Sequence, residues 1–530
     1  MNAQIKSITQ LFDIKNGGFG SAPKFPHSSA IDLVLERYQQ TKEKHLLAMA
    51  ETTLEKMARG GVYDQLAGGF HRYSVDERWL VPHFEKMSYD NSELLKNYVH
   101  ASQASALAHP EDQSGQTLFI AIAENIVSWV NKVLSDQEAG GFYASQDADY
   151  SLDDDGDYFT WTVEEVRAVL TPREARVLEL FYDIEPQGEM HHNPAKNVLW
   201  AARSFEEVAK IVGLELRDVG EAWFDGFEKL RRARARRPTP FIDKTMYVSW
   251  NAMFVSAYLD AARVIDRSDA EGCRAFALKT LDRMLKEVWT ESRGFGHRIG
   301  GPALEGSLDD QVFSVLALLD AYETTLDPRY FTVAQKTMDL AIARYGDSEN
   351  GGFFDRPSDA APMGGLDVRR KPFQDSPTPS ANSVAAIALI RLHAFTGDDR
   401  YHTFAQKTLE AFAGIAPQYG LFAATYGLAA TLFAHHPTQV IITGPANDPA
   451  AQALEAAAHR VYRFGKSVLR VTSETPHLHL AGALKETLPH LPADNAVALV
   501  CSGQTCFPPT SDPSQLVALL EKGAAGAATS

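Results

Sequence analysis

Cysteine is scarce in this chain. Three cysteines among 530 residues exclude the disulfide framework that stabilises many small secreted domains. Cys501 and Cys506 are spaced C-x4-C, whereas redox pairs and zinc knuckles use C-x-x-C. This spacing leaves two interpretations open: ordinary thiols beside a strand, or a metal site or regulatory disulfide.

Long apolar runs are missing as well. No stretch approaches the roughly 18 consecutive apolar residues that a membrane-spanning helix needs. The N-terminus lacks the charged-then-apolar pattern of a signal peptide. We therefore predict a cytoplasmic protein with no membrane partner.

Basic charge is in deficit. The chain has 51 Lys and Arg residues against 68 Asp and Glu residues, which gives a net charge of -17. Binding to nucleic acid needs a basic surface, so a nucleic-acid partner is not expected. The phosphate-binding pattern G-x-x-x-x-G-K-[ST] and the zinc-binding pattern H-E-x-x-H are also absent. We expect no cofactor and no metal site.

A repeat stands out among the features that are present. A glycine-aromatic step recurs six times, at Gly17-Gly18-Phe19, Gly68-Gly69-Phe70, Gly140-Gly141-Phe142, Gly294-Phe295, Gly351-Gly352-Phe353 and, more loosely, Gly420-Leu421-Phe422. On both sides of each step, apolar residues recur at i, i+3, i+4 and i+7, the pattern of an amphipathic helix. Each unit is predicted to be a helix, a loop and a second helix. Six such hairpins predict a mainly α fold that closes into a ring.

The same patterns place the helices along the chain. Outer helices are predicted near residues 2–13, 43–59, 116–134, 270–288, 328–345 and 398–414. Inner helices are predicted near residues 28–40, 88–104, 247–266, 308–324, 380–396 and 422–435. Several inner helices are apolar on nearly every face, which predicts that they are buried.

Most of the long loops lead from an outer helix into an inner one, and they are rich in His, Asp, Trp and Tyr. These loops should share one rim with the N-termini of the inner helices. Unpaired N–H groups and the positive end of the helix dipole favour polar or anionic ligands there, so we predict the functional site at this rim. Amides recur at the rim, in Asp90-Asn91, Trp250-Asn251 and Asp310-Gln311 and at Asn382, with helix N-capping as the structural alternative.

Two segments depart from the repeat. Residues 1–437 are predicted to form the ring, and about 150–242 are predicted to form a subdomain inserted into the third hairpin loop. After Pro437, short β-branched runs alternate with helical stretches. That alternation is typical of a small α/β domain, here predicted at 438–530.

Longer motifs resemble a known family. They lie at Gly17–Pro26, Gly68–Tyr73, Pro82–Asn91 and Ser145–Asp149, with later motifs at Asp243-Lys244 before Trp250-Asn251 and at Lys371-Pro372 before Asp375 and Ser380–Ser383. Together they closely resemble the YyaL-like, spermatogenesis-associated thioredoxin-domain family, and the resemblance spans nearly the whole chain. It implies an (α/α)6 toroid similar to six-hairpin glycosidases and N-acylglucosamine 2-epimerases.

Members of this family usually begin with a thioredoxin-like domain that carries a cysteine motif. This sequence starts where that domain would end, and it contains no C-x-x-C. We therefore do not expect thioredoxin-type redox chemistry from this chain. A thioredoxin-like protein is instead an expected partner.

A toroid of this kind predicts a small-molecule or oligosaccharide ligand at the rim. Sugars need aromatic platforms for their C–H faces, for which the rim loops offer Phe70, Tyr73, Trp79, Phe84, Tyr143, Trp250 and Phe353. Packing within the hairpins is the alternative role for these rings. The residues predicted to bind substrate are Arg72, Tyr73, Tyr89, Asp90, Asn91, Asp243, Lys244, Trp250, Asn251, Asp310, Lys371, Asp375 and Asn382.

A glycoside hydrolase would need two carboxyl groups about 5 to 9.5 Å apart. Glu85 and Asp147 are the predicted pair, with Asp149 among the substitutes. The structural alternative for Glu85 is an ion pair with Lys86 or Arg72.

A sugar 2-epimerase or isomerase would instead need bases on the two faces of the carbon next to a carbonyl group, a role suited to histidine. His83 and His71 share one loop, and His297 follows the fourth glycine-aromatic step. The alternative to both enzymes is a non-catalytic binding module that works with a thioredoxin-like partner.

Overall fold

A computed structural model describes residues 2–522 of the chain, apart from 152–155, 266, 361–363, 365–367, 473–474, 476–478 and 492–494. Its helices are α1 Asn2–Leu11, α2 Ser28–Thr41, α3 Lys44–Arg59, α4 Ser88–Ala108, α5 Ser114–Val133, α6 Val163–Val169, α7 Pro172–Tyr182, α8 Phe205–Val212, α9 Leu216–Arg234, α10 Val248–Ala261, α11 Arg267–Glu287, α12 Leu308–Thr325, α13 Pro328–Tyr345, α14 Ala381–Thr396, α15 Asp399–Ala413, α16 Ala416–Tyr419, α17 Ala424–His435, α18 Pro449–Arg460, α19 Gly482–Thr487 and α20 Pro513–Lys522. Its strands are β1 Tyr73–Ser74, β2 Pro82–His83, β3 Lys86–Met87, β4 Ser145–Gln146, β5 Ile242–Asp243, β6 Met246–Tyr247, β7 Trp289–Thr290, β8 Gly294–Phe295, β9 Arg298–Ile299, β10 Thr438–Thr443, β11 Ser467–Arg470, β12 Val497–Ser502 and β13 Thr505–Cys506.

Six inner helices form a closed ring. They are α2, α4, α10, α12, α14 and α17, and each packs against the next in that order. Helix α17 also packs against α2, which closes the ring. Five of the outer helices, α3, α5, α11, α13 and α15, each pack on the inner helix that precedes them in the chain. The (α/α)6 toroid predicted from the helical repeat is thereby confirmed.

The inner helices are held to the glycine-aromatic loops by buried amides. The Phe70 N–H donates to Asn91 Oδ1 over 2.7 Å, and Asn91 Nδ2 donates to the Phe70 carbonyl over 2.9 Å. The same two bonds join Asn251 to Phe142, Gln311 to Phe295 and Asn382 to Phe353. All four amides are fully buried. We therefore assign Asn91, Asn251 and Asn382 to the fold and not to ligand binding or N-capping.

The same loops are held by buried or half-buried cations. Lys86 Nζ lies 2.7 Å from Asp64 Oδ2 and donates to the Gly68 carbonyl over 2.9 Å. Equivalent bonds join Lys24 to Asp13 and Gly17, and Lys371 to Asp347 and Gly351. Lys371, predicted to bind substrate, thus has its ammonium group bonded to a scaffold loop.

The glycine-aromatic step places an aromatic side chain between the helices that form the toroid. Gly68 and Gly69 have φ angles of +80° and +75°, and a Cβ atom on Gly69 would lie 2.5 Å from the Trp129 ring. Phe70 follows them and stacks on Tyr98 with 5.4 Å between ring centroids. Four of the aromatic residues predicted as sugar platforms are buried in this way or in neighbouring clusters: Phe70, Trp79, Phe84 and Phe353. Their role is packing.

Two units lie outside the ring, as the predicted fold class requires. Helices α6 to α9 enclose their own apolar cluster around Val166, Leu178 and Leu230. At the C-terminal end, four strands form a sheet in the order β11-β10-β12-β13, with α18 and α20 packed against it. Cys501 and Cys506 are opposite each other on β12 and β13 and form a disulfide. None of the described helices has the length and apolar character that a bilayer crossing requires.

Candidate functional site

The inner helices enclose a cavity of about 180 Å³, here called the lumen. Each helix lines it with residues spaced three or four apart, as in Glu93, Lys96, His100 and Gln103 of α4. This spacing is that of one helix face. The end of the lumen at the N-termini of the inner helices is called the mouth, and the opposite end is called the base.

An aromatic arc follows one side of the mouth. Tyr89 and Trp250 precede the lumen-lining Glu93 and Met253 by one helical turn. The Tyr89 and Trp250 rings are 4.9 Å apart, and Trp250 lies 4.6 Å from Tyr247. Tyr247 in turn lies 5.3 Å from the His297 ring. Helices α4 and α10 and the loop before α12 thus supply one continuous set of rings.

His297 is oriented by a buried carboxylate. Its Nδ1 atom lies 2.8 Å from Asp310 Oδ2, and Asp310 is fully buried. The Ser249 N–H donates to the other Asp310 oxygen over 3.1 Å. The hydrogen bond between Asp310 and the His297 ring raises the pKa of His297. Asp310, predicted to bind substrate, also accepts from the Ser307 N–H over 2.8 Å in the capping box of α12, which is the N-capping role given above as its structural alternative. The His297 tautomer that donates from Nδ1 leaves Nε2 for a ligand.

Asp309 is the next residue of the site, and the sequence analysis did not select it. Asp309 lies four residues before Phe313, which lines the lumen. Residues four apart share one face of a helix, so the Asp309 side chain lies on the lumen-facing side of α12, at its N-terminal end. Burial, together with the negative charge of Asp310, raises the pKa of Asp309 to about 6. The spacing of three or four residues between the lumen-lining positions of α12 would have identified Asp309 in the sequence.

A second acidic group lies on α4. One oxygen of Asp90 is buried without a hydrogen-bond partner, and burial raises the pKa of this carboxyl well above its usual range. Nearby, Arg72 Nη1 lies 3.2 Å from Glu85 Oε2. Glu85 thus forms the ion pair with Arg72 that was its structural alternative. Lys86, the other alternative partner, binds Asp64 instead.

The predicted pair Glu85 and Asp147 flanks two paired strands. Lys86 on β3 pairs with Gln146 on β4 in antiparallel register. Glu85 directly precedes Lys86 and Asp147 directly follows Gln146, so the two carboxyl groups adjoin the same end of this pair of strands. The Asp147 side chain is exposed and accepts a hydrogen bond from the Ala148 N–H over 2.7 Å.

Aromatic rings continue around the other side of the mouth. Tyr73 lies 5.1 Å from His83 and 4.8 Å from Phe25, and Phe25 is followed by His27 and Phe422. Phe25 and Phe422 are 40% and 44% exposed, so their rings are open to a ligand. His83 is half-exposed, with Nε2 3.8 Å from Glu85 Oε2.

Asp375 lies where two inner helices begin. It accepts hydrogen bonds from the Ser380 N–H over 2.9 Å and the Thr425 N–H over 2.8 Å. Burial raises its pKa to about 7. Because its two oxygens bond the N-terminal ends of α14 and α17, we infer that Asp375 fixes the positions of these two helices at the mouth.

The other predicted residues make contacts outside the aromatic arc. His71 is buried, donates from Nδ1 to the Phe84 carbonyl over 2.7 Å, and has a pKa lowered to about 3 by burial. Asp149 and Asp243 each accept a hydrogen bond from a nearby loop N–H group. Lys244 is exposed, with its Nζ atom 5.6 Å from the Tyr143 ring centroid.

The lumen also contains a charged cluster that the sequence analysis missed. His100 Nδ1 lies 2.9 Å from Asp32, and its Nε2 lies 2.6 Å from Asp260. Burial lowers the pKa of His100, but the two carboxylates outweigh it and raise the pKa to about 10. Charged residues within otherwise apolar inner helices were the available signal. In the part of the chain that the structure describes, no group of three or more His, Cys, Asp or Glu side chains could hold a metal ion.

Comparison with known proteins identifies relatives along nearly the whole chain. No protein-family model matches it. It is 31% identical to human spermatogenesis-associated protein 20 over 560 residues, which cover 98% of this chain and 69% of that protein. The rat protein of the same name is 31% identical over 566 residues, with the same coverage of 98% and 69%.

Two solved structures of low identity are similar to most of the chain. A crystal structure of D-mannose isomerase is 12% identical with a TM-score of 0.43, covering 81% of this chain and 96% of that one. A glycoside hydrolase family 76 mannosidase from Bacteroides thetaiotaomicron is 9% identical with a TM-score of 0.45, covering 81% and 97%. On the identity and coverage of the human relative, the chain belongs to the spermatogenesis-associated protein 20 family.

Proposed function

We propose that the mouth binds a sugar and moves a proton at the carbon next to its carbonyl group, as in a 2-epimerase or aldose-ketose isomerase. One observation carries the proposal: His297 is held by the fully buried Asp310 at 2.8 Å and borders the aromatic arc. A histidine oriented in this way presents one nitrogen of fixed protonation to a ligand.

The roles of the individual groups follow from their charges. The raised pKa of His297 favours its cationic form, which donates a hydrogen bond from Nε2 to the sugar carbonyl oxygen. The pKa of about 6 leaves Asp309 mostly ionised at pH 7 and still suited to exchange a proton with carbon. In the isomerase case Asp309 removes the proton from C2 while His297 donates a proton to the carbonyl oxygen O1, which gives a neutral enediol. Asp309 then returns its proton to C1 and the hydroxyl proton of O2 passes back to His297, so that a ketose forms and both groups recover their starting state. Epimerisation would in addition require that C2 is reprotonated from its opposite face by a second group.

The aromatic arc supports a carbohydrate as the ligand. Trp250 is half-buried, so it offers a ring face while its position is fixed by Tyr89 and Tyr247. Apolar C–H faces of sugars pack on such rings, and Arg72 with Glu85 supplies planar donors and acceptors for hydroxyl groups nearby.

Glycoside hydrolysis is the second candidate. The antiparallel pairing of Lys86 with Gln146 supports it, because Glu85 and Asp147 are the next residues along these two segments and both classes of glycosidase use two carboxyl groups. In that case Arg72 would orient Glu85 as the base or nucleophile.

Proton NMR of the purified protein with reducing sugars and oligosaccharides in deuterated water tests both candidates. Deuterium at C2 supports proton transfer, whereas new anomeric signals from cleaved linkages support hydrolysis. His297→Asn should reduce C2 exchange about 10²- to 10⁴-fold. His83→Asn is the matched control, since His83 also borders the mouth but has no buried carboxylate partner.

A different result would contradict the proposal. If no sugar exchanges or is cleaved while saturation transfer still shows binding, the toroid is a binding module, and its work with a thioredoxin-like partner becomes the leading hypothesis. If C2 exchange survives His297→Asn unchanged, the chemistry lies elsewhere on the mouth.

A further inference from the structure

The base of the lumen is closed by a segment of the C-terminal unit. Residues 459–466 line the cavity together with all six inner helices. Gln103 of α4 donates to the His459 carbonyl, and the Phe464 N–H donates to Glu36 of α2 over 3.0 Å. The Tyr462 ring lies 4.5 Å from the His100 ring. The lumen therefore ends against this segment and does not continue through the toroid.

Most charges in the lower lumen already have partners. His100 lies between Asp32 and Asp260. On the opposite wall, Arg391 lies 2.7 Å from Glu323 and 2.8 Å from Asp320. A charged ligand would have to break these pairs, which favours a neutral polar ligand at this depth.

One polar group of the base has no partner. The Tyr462 hydroxyl is buried without a hydrogen bond to any described residue, although its side chain lines the cavity. Tyr462 as a whole is only 4% exposed. Buried hydroxyl groups are normally hydrogen-bonded, so this one calls for a partner inside the lumen.

The lumen is small for a substrate chain. Its 180 Å³ is below the ~300 to 1,000 Å³ typical of pockets for drug-sized ligands. A cavity of this size, closed at the base, suits one sugar unit and offers no exit for a second.

We propose that the lumen is a blind pocket for a single terminal sugar unit, with the Tyr462 hydroxyl as its deepest hydrogen-bonding group. This inference rests on the proposed function, because the ligand enters through the mouth. It limits the substrate class to monosaccharides and the ends of oligosaccharides. Internal units of a chain and cyclic oligosaccharides, which have no ends, are excluded.

The test compares linear and cyclic oligosaccharides of the same linkage and a similar number of units, together with the monosaccharide. Saturation-transfer NMR and calorimetric titration report binding. We expect the monosaccharide and the linear chain to bind and the cyclic compound to bind at least about 10-fold more weakly. Equal affinity for linear and cyclic compounds would overturn the blind pocket and leave the proposed function intact. Absence of binding by every sugar would overturn both.

Tyr462→Phe tests the hydroxyl. Losing one hydrogen bond should weaken binding of the terminal unit about 10-fold. Thermal stability should stay unchanged, because the hydroxyl has no protein partner to lose. Tyr401→Phe is the matched control: Tyr401 is also buried, but its hydroxyl bonds Asp339 on an outer helix. Unchanged affinity in Tyr462→Phe, or a loss of stability in its place, contradicts the assignment.

Ser256→Leu tests the space itself. Ser256 lines the lumen on α10, so a leucine there should fill the cavity and abolish detectable binding of the terminal unit. Ser128→Leu on α5 is the control, since Ser128 lies outside the lumen. Retained affinity in the folded Ser256→Leu variant would show that the sugar binds elsewhere.

Discussion

Lys86 has its charge inside the wall of the ring. Its side chain is fully buried, and Asp64 accepts from both Lys86 and Arg234 over 2.7 Å. Lys86→Met removes the ammonium group that is bonded to Asp64 and leaves the Gly68 carbonyl without its hydrogen bond. We expect the free energy of unfolding to fall by about 3 to 5 kcal/mol, measured by urea denaturation. Lys132→Met on the protein surface is the control, and a loss below ~1 kcal/mol in Lys86→Met would contradict this account.

His100 makes stability depend on pH in the alkaline range. Its pKa is about 10 in the folded protein and 6.5 in the reference state. Because the folded value is the higher one, the stabilisation is fully present below pH 6.5 and is lost as pH rises through about 10. The unfolding free energy of the wild type should therefore exceed that of His100→Asn most at pH 6 and least at pH 10. Urea titrations at several pH values measure the difference.

Asp32, Asp260 and the Tyr462 ring are the groups that face His100. A difference between wild type and variant that stayed constant from pH 6 to 10 would mean that His100 is neutral in the folded state. His100 was visible in the sequence as a polar residue within an inner helix, but its ion pairs could not be predicted, because its partners lie on α2 and α10 and no local pattern in α4 links it to them.

At the scale of the elements, the amide side chain of Asn251 joins α10 to the preceding glycine-aromatic loop. Asn251 accepts from the Phe142 N–H and donates to the Phe142 and Tyr247 carbonyls. Asn251→Leu leaves buried loop groups unpaired, each worth about 1 to 3 kcal/mol. We expect a total loss of about 3 kcal/mol in urea denaturation. Asn193→Leu, at an exposed loop position, should change stability by less than ~0.5 kcal/mol, and an equal effect of the two changes would refute the role of the amide.

This amide also shows what the sequence could predict. The helices themselves were predictable because an apolar period of 3.6 is a local property of the chain. The glycine-aromatic steps were likewise visible as a repeat. The role of Asn251 was not, because its partner Phe142 is 109 residues away and the same residue type also serves in caps and ligand sites. Asp310 was selected for its position, yet only the structure reveals that it acts on His297.

At the scale of the whole molecule, the ring closes where α17 meets α2. Gly427 allows this approach: a Cβ atom there would lie 2.8 Å from Leu33 and 2.9 Å from Gln4. Gly427→Val should separate the first and last hairpins and lower the unfolding midpoint. Circular dichroism and tryptophan fluorescence should report it as one transition if the ring is a single cooperative unit. Two separate transitions would mean that the hairpins unfold independently.

The seam between first and last hairpins has a consequence for synthesis of the protein. Gln4 donates to the carbonyl of Ala423, so residues 419 positions apart meet when the ring closes. A ribosome adding about 5 to 20 residues per second needs on the order of tens of seconds between these two points. During that interval the inner helices already made have no complete ring to cover their apolar faces. The nascent chain is therefore a natural client for chaperones, and the lumen is complete only in the last step of assembly.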